Sequence, residues 1–157
     1  MGIEITIRPA LPADLPEIKQ LFVETIMNVC SNDYTNEQQR IWAATAENEE
    51  RWTNALNDQY FVVAERESKI AGFASLANNN YFDFLYVHKD FQRQGIADGL
   101  YEYLERKALD SGTRILTSDV SKTARPFFER KGFKVVSEQT NVRLGIEIVN
   151  YKMEKEL

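Results

Sequence analysis

Asp83-Phe-Leu-Tyr-Val-His-Lys-Asp-Phe-Gln-Arg-Gln-Gly-Ile-Ala97 is the stretch that decides how this chain folds. Its first half, with Tyr81 and Phe82 before it, is the most continuously apolar run in the sequence. A strand that is apolar on both faces belongs in the middle of a sheet. The second half runs into a helix beginning near Gly95, with Ile96, Leu100, Tyr103, Leu104 and Ala108 on one face. Gln92 to Ala97 therefore lie at a strand-to-helix turn, where main-chain N–H groups have no helical partners. Such a turn attracts anions, because the helix dipole favours negative charge there by about 0.3–1 kcal/mol. Gly95 and Ala97 are small enough to let a pyrophosphate approach the backbone. Taken alone, a helix that merely starts with a glycine has the same look.

Working outward, Tyr60–Ala64 and Ile70–Leu76 read as an antiparallel hairpin with a charged turn, and Asn78-Asn-Asn80 as the turn into the central strand. Upstream, Ile3, Ile5 and Ile7 alternate with polar residues up to Pro9, a first strand. Asp14-Leu-Pro-Glu17 then reads as a capping box opening a helix with Leu15, Ile18, Leu21, Phe22, Ile26 and Val29 on one face. Helical stretches around Ile41 to Ala44 and around Trp52 to Leu56 follow. Downstream, Ser111-Gly112 stops the helix. A short strand at Ile115–Thr117, a helix from Thr123 to Lys131, a strand beginning at Phe133 and a last strand from about Ile146 to Met153 complete the chain. The order β-α-α-β-β-β-α-β-α-β-β predicts a single domain over 1–157, an α/β (α+β) architecture with a mixed sheet. No internal repeat or linker interrupts it.

Composition narrows the function classes. The formal net charge of -5 argues against nucleic acid as a partner, since gripping phosphates takes a basic face, and it suits a cationic amine. Cys30 is the only cysteine and His88 the only histidine, so no intramolecular disulfide and no cysteine-based metal site can form, and no metal is expected. The N-terminal residues lack a basic segment followed by a long apolar run, so no signal peptide is expected, and no stretch approaches the length of a membrane-spanning helix. The natural expectation is a cytoplasmic protein with no membrane partner. No Gly-x-x-x-x-Gly-Lys-(Ser/Thr) stretch occurs, which disfavours a nucleotide phosphotransferase.

Two motifs in order carry a resemblance. Gln92-x-x-Gly95-x-Ala97 resembles the (Gln/Arg)-x-x-Gly-x-(Gly/Ala) coenzyme A signature of the GNAT N-acetyltransferases, with Leu85-Tyr-Val87 as the strand before it. Ala124-x-x-Phe127-Phe128-Glu-Arg-Lys-Gly132-Phe133 is similar to the family's second motif, and Ile7-Arg-Pro-Ala10 with Ala13-Asp-Leu-Pro16 to its opening. The resemblance covers almost the whole chain. It implies a mostly antiparallel mixed sheet of about seven strands with helices on both faces, acetyl-CoA as co-substrate, and transfer of an acetyl group to a primary amine by direct attack. The coenzyme's arm would pair with the strand edge at Leu85, Tyr86 and Val87. Main-chain amides of Arg93, Gln94, Gly95, Ile96, Ala97 and Asp98, after Gln92, would cradle the pyrophosphate, and an amide near Val87 would hold the thioester oxygen.

Further roles follow from the same resemblance. Asp83 is the candidate proton acceptor, against the plainer reading of a strand-end or orienting carboxylate; His88 is the alternative. Ser121 stands where the family often has an asparagine on the coenzyme's arm, or else caps the next helix. Phe128 occupies the position of the family's usual general-acid tyrosine and departs from the pattern. Tyr101, Tyr103 and Tyr151 are candidate replacements, and a thiol of pKa about 8.5 leaves as thiolate without much help. Tyr34 and Trp42, with Glu37 and Gln38, fall where an acceptor pocket for a small-molecule amine would form. Cys30, in the first helix region, is placed far from this motif and read as a buried structural residue. The last hairpin could complete the sheet or carry a homodimer contact. Loss of the tyrosine keeps alive a second class: a coenzyme-binding sensor or structural module without efficient chemistry.

Overall fold

A computed structural model describes residues 4–157. The strands β1 (Thr6–Pro9), β2 (Tyr60–Arg66), β3 (Lys69–Ala77), β4 (Tyr81–Val87), β5 (Ile115–Ser121), β6 (Lys134–Arg143) and β7 (Ile146–Glu156) form one seven-stranded sheet in the order β1-β2-β3-β4-β5-β7-β6. Every neighbouring pair is antiparallel except β4 and β5. The helices α1 (Leu15–Val29), α2 (Asn36–Ala43) and α3 (Glu49–Asp58) precede β2; α4 (Ile96–Asp110) and α5 (Arg125–Arg130) flank β5 in sequence. Of the isoleucines read as a first strand, Ile7 lies in β1, Ile5 just before it, and Ile3 lies outside the described residues.

Alternation along β2 separates two cores. Val62 and Ala64 join Leu76, Phe82, Leu100, Leu104, Leu116 and Phe128 under α4 and α5. Phe61 and Val63 join Ile18, Phe22, Trp52, Phe73 and Phe84 under α1 to α3. The central position expected for β4 is observed, and a bulge explains its double-faced apolarity. Ser75 pairs with Phe84 and Leu76 with Phe82, so Asp83 has no partner residue and the two phenylalanines go to opposite cores. Gly72 lets α4 sit against β3: a Cβ there would lie 2.9 Å from Ile96 Cγ2 and 3.0 Å from the Tyr86 carbonyl oxygen.

Several boundaries differ from the sequence reading. The Asp14–Glu17 capping box does not form: the Asp14 carboxylate takes the Arg8 guanidinium and the Leu11 N–H, while Glu17 accepts the Ile70 N–H at 2.8 Å. Asp14 is drawn back onto the turn before it and Glu17 across to β3, so neither side chain is left for the cap. Arg8 lowers the Asp14 pKa below its ordinary value. All three helical stretches read before β2 form, although the order β-α-α-β counted only two, and Thr35 with Gln38 makes the capping box that opens α2. The strand expected at Ile115–Thr117 runs on to Ser121 because Leu116, Ser118 and Val120 all turn inward despite the polar residues between them. The helix expected over 123–131 shrinks to α5. β6 is much longer than its apolar start, since pairing with β7 carries its polar remainder.

Candidate active site

β4 and β5 are hydrogen-bonded only at Tyr81/Thr117 and Phe82/Ser118, after which the ladder ends. Each strand keeps its outer partner, β3 or β7, so the two diverge toward the C-terminal end of β4. His88 N–H donates to the Ala71 carbonyl on β3 at 2.7 Å. By strand alternation the N–H groups of Val87 and Leu85 then point to the opposite side, into the gap. The Val87 carbonyl on that edge is already taken, by Thr25 Oγ1 at 3.0 Å and Gln92 Nε2 at 2.7 Å. Gln92 thus acts through its side chain as a tie between turn and strand.

The turn that follows has Arg93 at φ 59° and Gly95 at φ 81°, both left-handed, so consecutive N–H groups converge rather than alternate. Nothing lies within 4 Å of the place a Gly95 Cβ would occupy, so the approach to these amides is open. Ile96 puts its side chain into the core and Asp98 pairs with Lys131 Nζ at 2.6 Å, leaving to both only their main chain for a ligand. The residues present therefore fit a diphosphate with an extended arm alongside β4.

A cleft of about 1040 Å³ opens from this gap. Among the sequence candidates, Tyr34, Trp42, Asp83, Leu85, Tyr86, Val87, Gln92, Arg93, Ala97, Ser121 and Phe128 line it. Gln94 and Gly95 stand just outside. Ser121 Oγ accepts the Ala124 N–H at 3.1 Å, the capping alternative, while still facing the cleft.

Asp83 is less free than its position suggested. Arg51 Nη1 and Nη2 meet its two oxygens at 2.6 and 2.8 Å, Gln59 Nε2 adds 2.8 Å, and the guanidinium stacks on Phe84. This pairing raises the Arg51 pKa. Tyr34 is buried beneath α2, where its hydroxyl donates to the Val149 carbonyl at 2.7 Å and accepts the Lys122 N–H at 2.9 Å. Burial pushes its pKa up to about 12. Trp42 packs edge-on against Tyr34 and remains half-buried at the cleft wall.

Other expectations change. Cys30 is not remote: the C-terminal end of α1 brings it to the same cleft, 4% exposed, its thiol pKa raised by burial. Distance in sequence misled because α1 lies directly over β4. Tyr101, Tyr103 and Tyr151 do not line the cleft. Tyr101 instead hydrogen-bonds Glu105 and Lys155, and Tyr151 lies under Arg125. His88 accepts the Asp90 N–H and faces Glu24 at 3.6 Å, away from the lining. The tyrosines that do line it are Tyr34, Tyr81 and Tyr86, and sequence reasoning missed Tyr81, Arg51 and Asp119.

The family model for the acetyltransferase (GNAT) domain matches residues 30–155. The chain belongs to the GNAT family. It is 32% identical over 149 residues to the uncharacterized N-acetyltransferase YafP of Escherichia coli K12, covering 95% of this chain and 94% of that one. A GCN5-related N-acetyltransferase from Rhodopseudomonas palustris superposes with a TM-score of 0.94 at 33% identity, covering 100% and 99% of the two chains. The PaiA N-acetyltransferase of Thermoplasma acidophilum, solved in complex with coenzyme A, shares the fold at a TM-score of 0.80 and 20% identity, with 99% and 100% covered.

Proposed function

We propose that this protein transfers the acetyl group of acetyl-CoA to a primary amine of a small molecule by direct attack. The reading rests on one observation: β4 and β5 part after a single pair of rungs, leaving the Leu85 and Val87 N–H groups facing an open gap beside the Arg93–Gly95 turn. Membership of the GNAT family and the coenzyme A bound to the PaiA relative support acetyl-CoA as the donor.

The donor supplies an activated thioester, and the chain supplies its placement. Main-chain amides from Arg93 to Asp98 hold the diphosphate, and the edge of β4 holds the arm. The N–H of Leu85 or Val87 stabilises the carbonyl oxygen as negative charge grows on it. The amine enters from the α1–α3 side, past Tyr34, Trp42 and the Asp83–Arg51 pair. In this reading Asp83 contributes by fixing Arg51 and the acceptor wall, because a proton acceptor in its place would first have to shed the guanidinium. With Phe128 buried among Phe82, Phe127 and Phe133, the thiol departs as thiolate or takes its proton from solvent.

That same buried Phe128 favours the second reading, a coenzyme-binding module without efficient chemistry. Thiol release from acetyl-CoA, followed over polyamines, aminoglycosides, amino acids and peptide N-termini, separates the two. Turnover on at least one amine is expected. Calorimetric binding of coenzyme A with no turnover on any of them would favour the module.

A further inference from the structure

Among the described residues, two carboxylates line the cleft, Asp83 and Asp119. Their surroundings differ. Asp83 is neutralised by a two-pronged ion pair. Asp119 receives only neutral donors: the Tyr81 hydroxyl at 2.7 Å on Oδ2 and Gln139 Nε2 at 2.9 Å on Oδ1. The charged groups around it are Lys152, its cross-strand partner on β7, and the Asp83–Arg51 pair beyond Tyr81. Among the described residues, none of these cations comes within 4.0 Å of it. Asp119 also borders a side pocket of about 330 Å³ lined by Tyr81, Thr117, Ser118, Gln139 and Lys152, so the carboxylate is reachable from two directions.

Its place in the sheet is what matters. Ser118 and Phe82 form the last β4–β5 pair, which puts Asp119 one residue into the divergence, level with the bulged Asp83. Leu116, Ser118 and Val120 point toward α4, so Asp119 points to the α1–α3 side, from which an acceptor arrives. The Leu85 N–H lies on β4 two residues further along, about 7 Å in the strand direction at about 3.3 Å per residue, and is displaced sideways by the spacing of the two strands, about 5 Å or more once they part. That gap accommodates an acetyl carbon and an attacking nitrogen.

We propose that Asp119, positioned by the Tyr81 hydroxyl, accepts the proton of the acceptor nitrogen during transfer. This rests on the acetyltransferase reading above. A neutral amine attacks the thioester carbon, forming the C–N bond and a nitrogen that carries positive charge and one proton too many. The Asp119 carboxylate takes that proton as the carbonyl reforms and the C–S bond breaks. The thiolate leaves with the bonding electron pair and is protonated from solvent or from Asp119, which restores the carboxylate. Burial and the hydrogen bond to Asp119 raise the Tyr81 pKa above its ordinary value, so Tyr81 stays the donor of that pair.

The test compares wild type with Asp119→Asn, Asp119→Ala, Tyr81→Phe and Asp83→Asn, using an amine the wild type acetylates. Asp119→Asn is expected to lower kcat about 10²–10³-fold, with the KM for acetyl-CoA and calorimetric affinity for coenzyme A within about twofold of wild type, which also shows the fold intact. Tyr81→Phe should cost about tenfold or less. Added formate should restore part of the activity of Asp119→Ala and none of that of Asp83→Asn. A kcat within about threefold of wild type in Asp119→Asn, or no response to formate, overturns the assignment of Asp119 and leaves the enzyme reading standing. A wild type that binds coenzyme A but acetylates no amine removes both.

Discussion

The two walls of the cleft are built by different means. On the proposed coenzyme side, the edge of β4 and the turn to α4 present main-chain groups, and the side chains there mostly hold the backbone in shape: Gln92 ties Val87, Ile96 anchors the helix and Asp98 meets Lys131. On the proposed acceptor side, the surface consists of side chains drawn from α1, α2, α3, β5 and the β6–β7 hairpin, and its polar members are held by partners far away in sequence. Tyr34 bridges Val149 and Lys122, Arg51 grips Asp83, and Gln38 donates to the Glu147 carbonyl. In the proposed reading, the main-chain wall serves the coenzyme and is indifferent to side-chain identity. A side-chain site can be rebuilt for each acceptor.

The sharpest break of this contrast comes from Gly95. At φ 81° any other residue is strained, by about 1–2 kcal/mol, and the open space over it is where a ligand's phosphates would come. Gly95→Trp is expected to weaken coenzyme A binding by 100-fold or more in calorimetry, with the circular dichroism of the fold retained. An unchanged affinity would remove the turn from the site and dissolve the distinction between the walls.

Tyr34 probes the other wall. Its hydroxyl is buried, with a donor and an acceptor that would both lose their partner. Tyr34→Phe should cost about 1–3 kcal/mol of stability by leaving buried polar groups unsatisfied, measured by urea denaturation. It should raise the acceptor KM more than that of acetyl-CoA. Equal effects on the two substrates would mean that α2 and β7 hold up both walls together.

The same division explains what could be read from the sequence. Fifteen consecutive residues, Asp83 to Ala97, encode the coenzyme wall, so periodicity, the glycine and the motif sufficed to place the strand, turn and helix. The Asp83 bulge was not legible, because it depends on the register of Ser75 and Leu76 on β3. The acceptor wall was only half visible. Tyr34 and Trp42 could be named from their region, but the pairing of Arg51 with Asp83 spans 32 residues and no local pattern announces it. Asp119 was hidden in a strand cut short at Thr117. Its signal was the inward alternation of Leu116, Ser118 and Val120, which leaves Asp119 on the opposite face. Cys30 was misplaced because chain distance stood in for spatial distance.

The smallest expected effect is at the hairpin tip, where the acceptor wall ends. Arg143 pairs with Ile146, so Leu144 and Gly145 form a two-residue turn, with φ 51° and 77°. Positive φ at both positions favours Asn-Gly. A leucine there costs conformational energy, and it is 91% exposed while bordering the cleft. Neither property helps the folded chain by itself. Leu144→Asn should therefore stabilise the protein, by about 0.5–1 kcal/mol, or a rise in Tm of about 2–4 °C at most. Because the tip touches only the side-chain wall, the KM for acetyl-CoA should stay unchanged while that for an amine with an apolar body rises a few-fold. A fall in Tm would show that the leucine packs onto the protein, and an altered acetyl-CoA KM would show that the tip reaches across to the backbone wall.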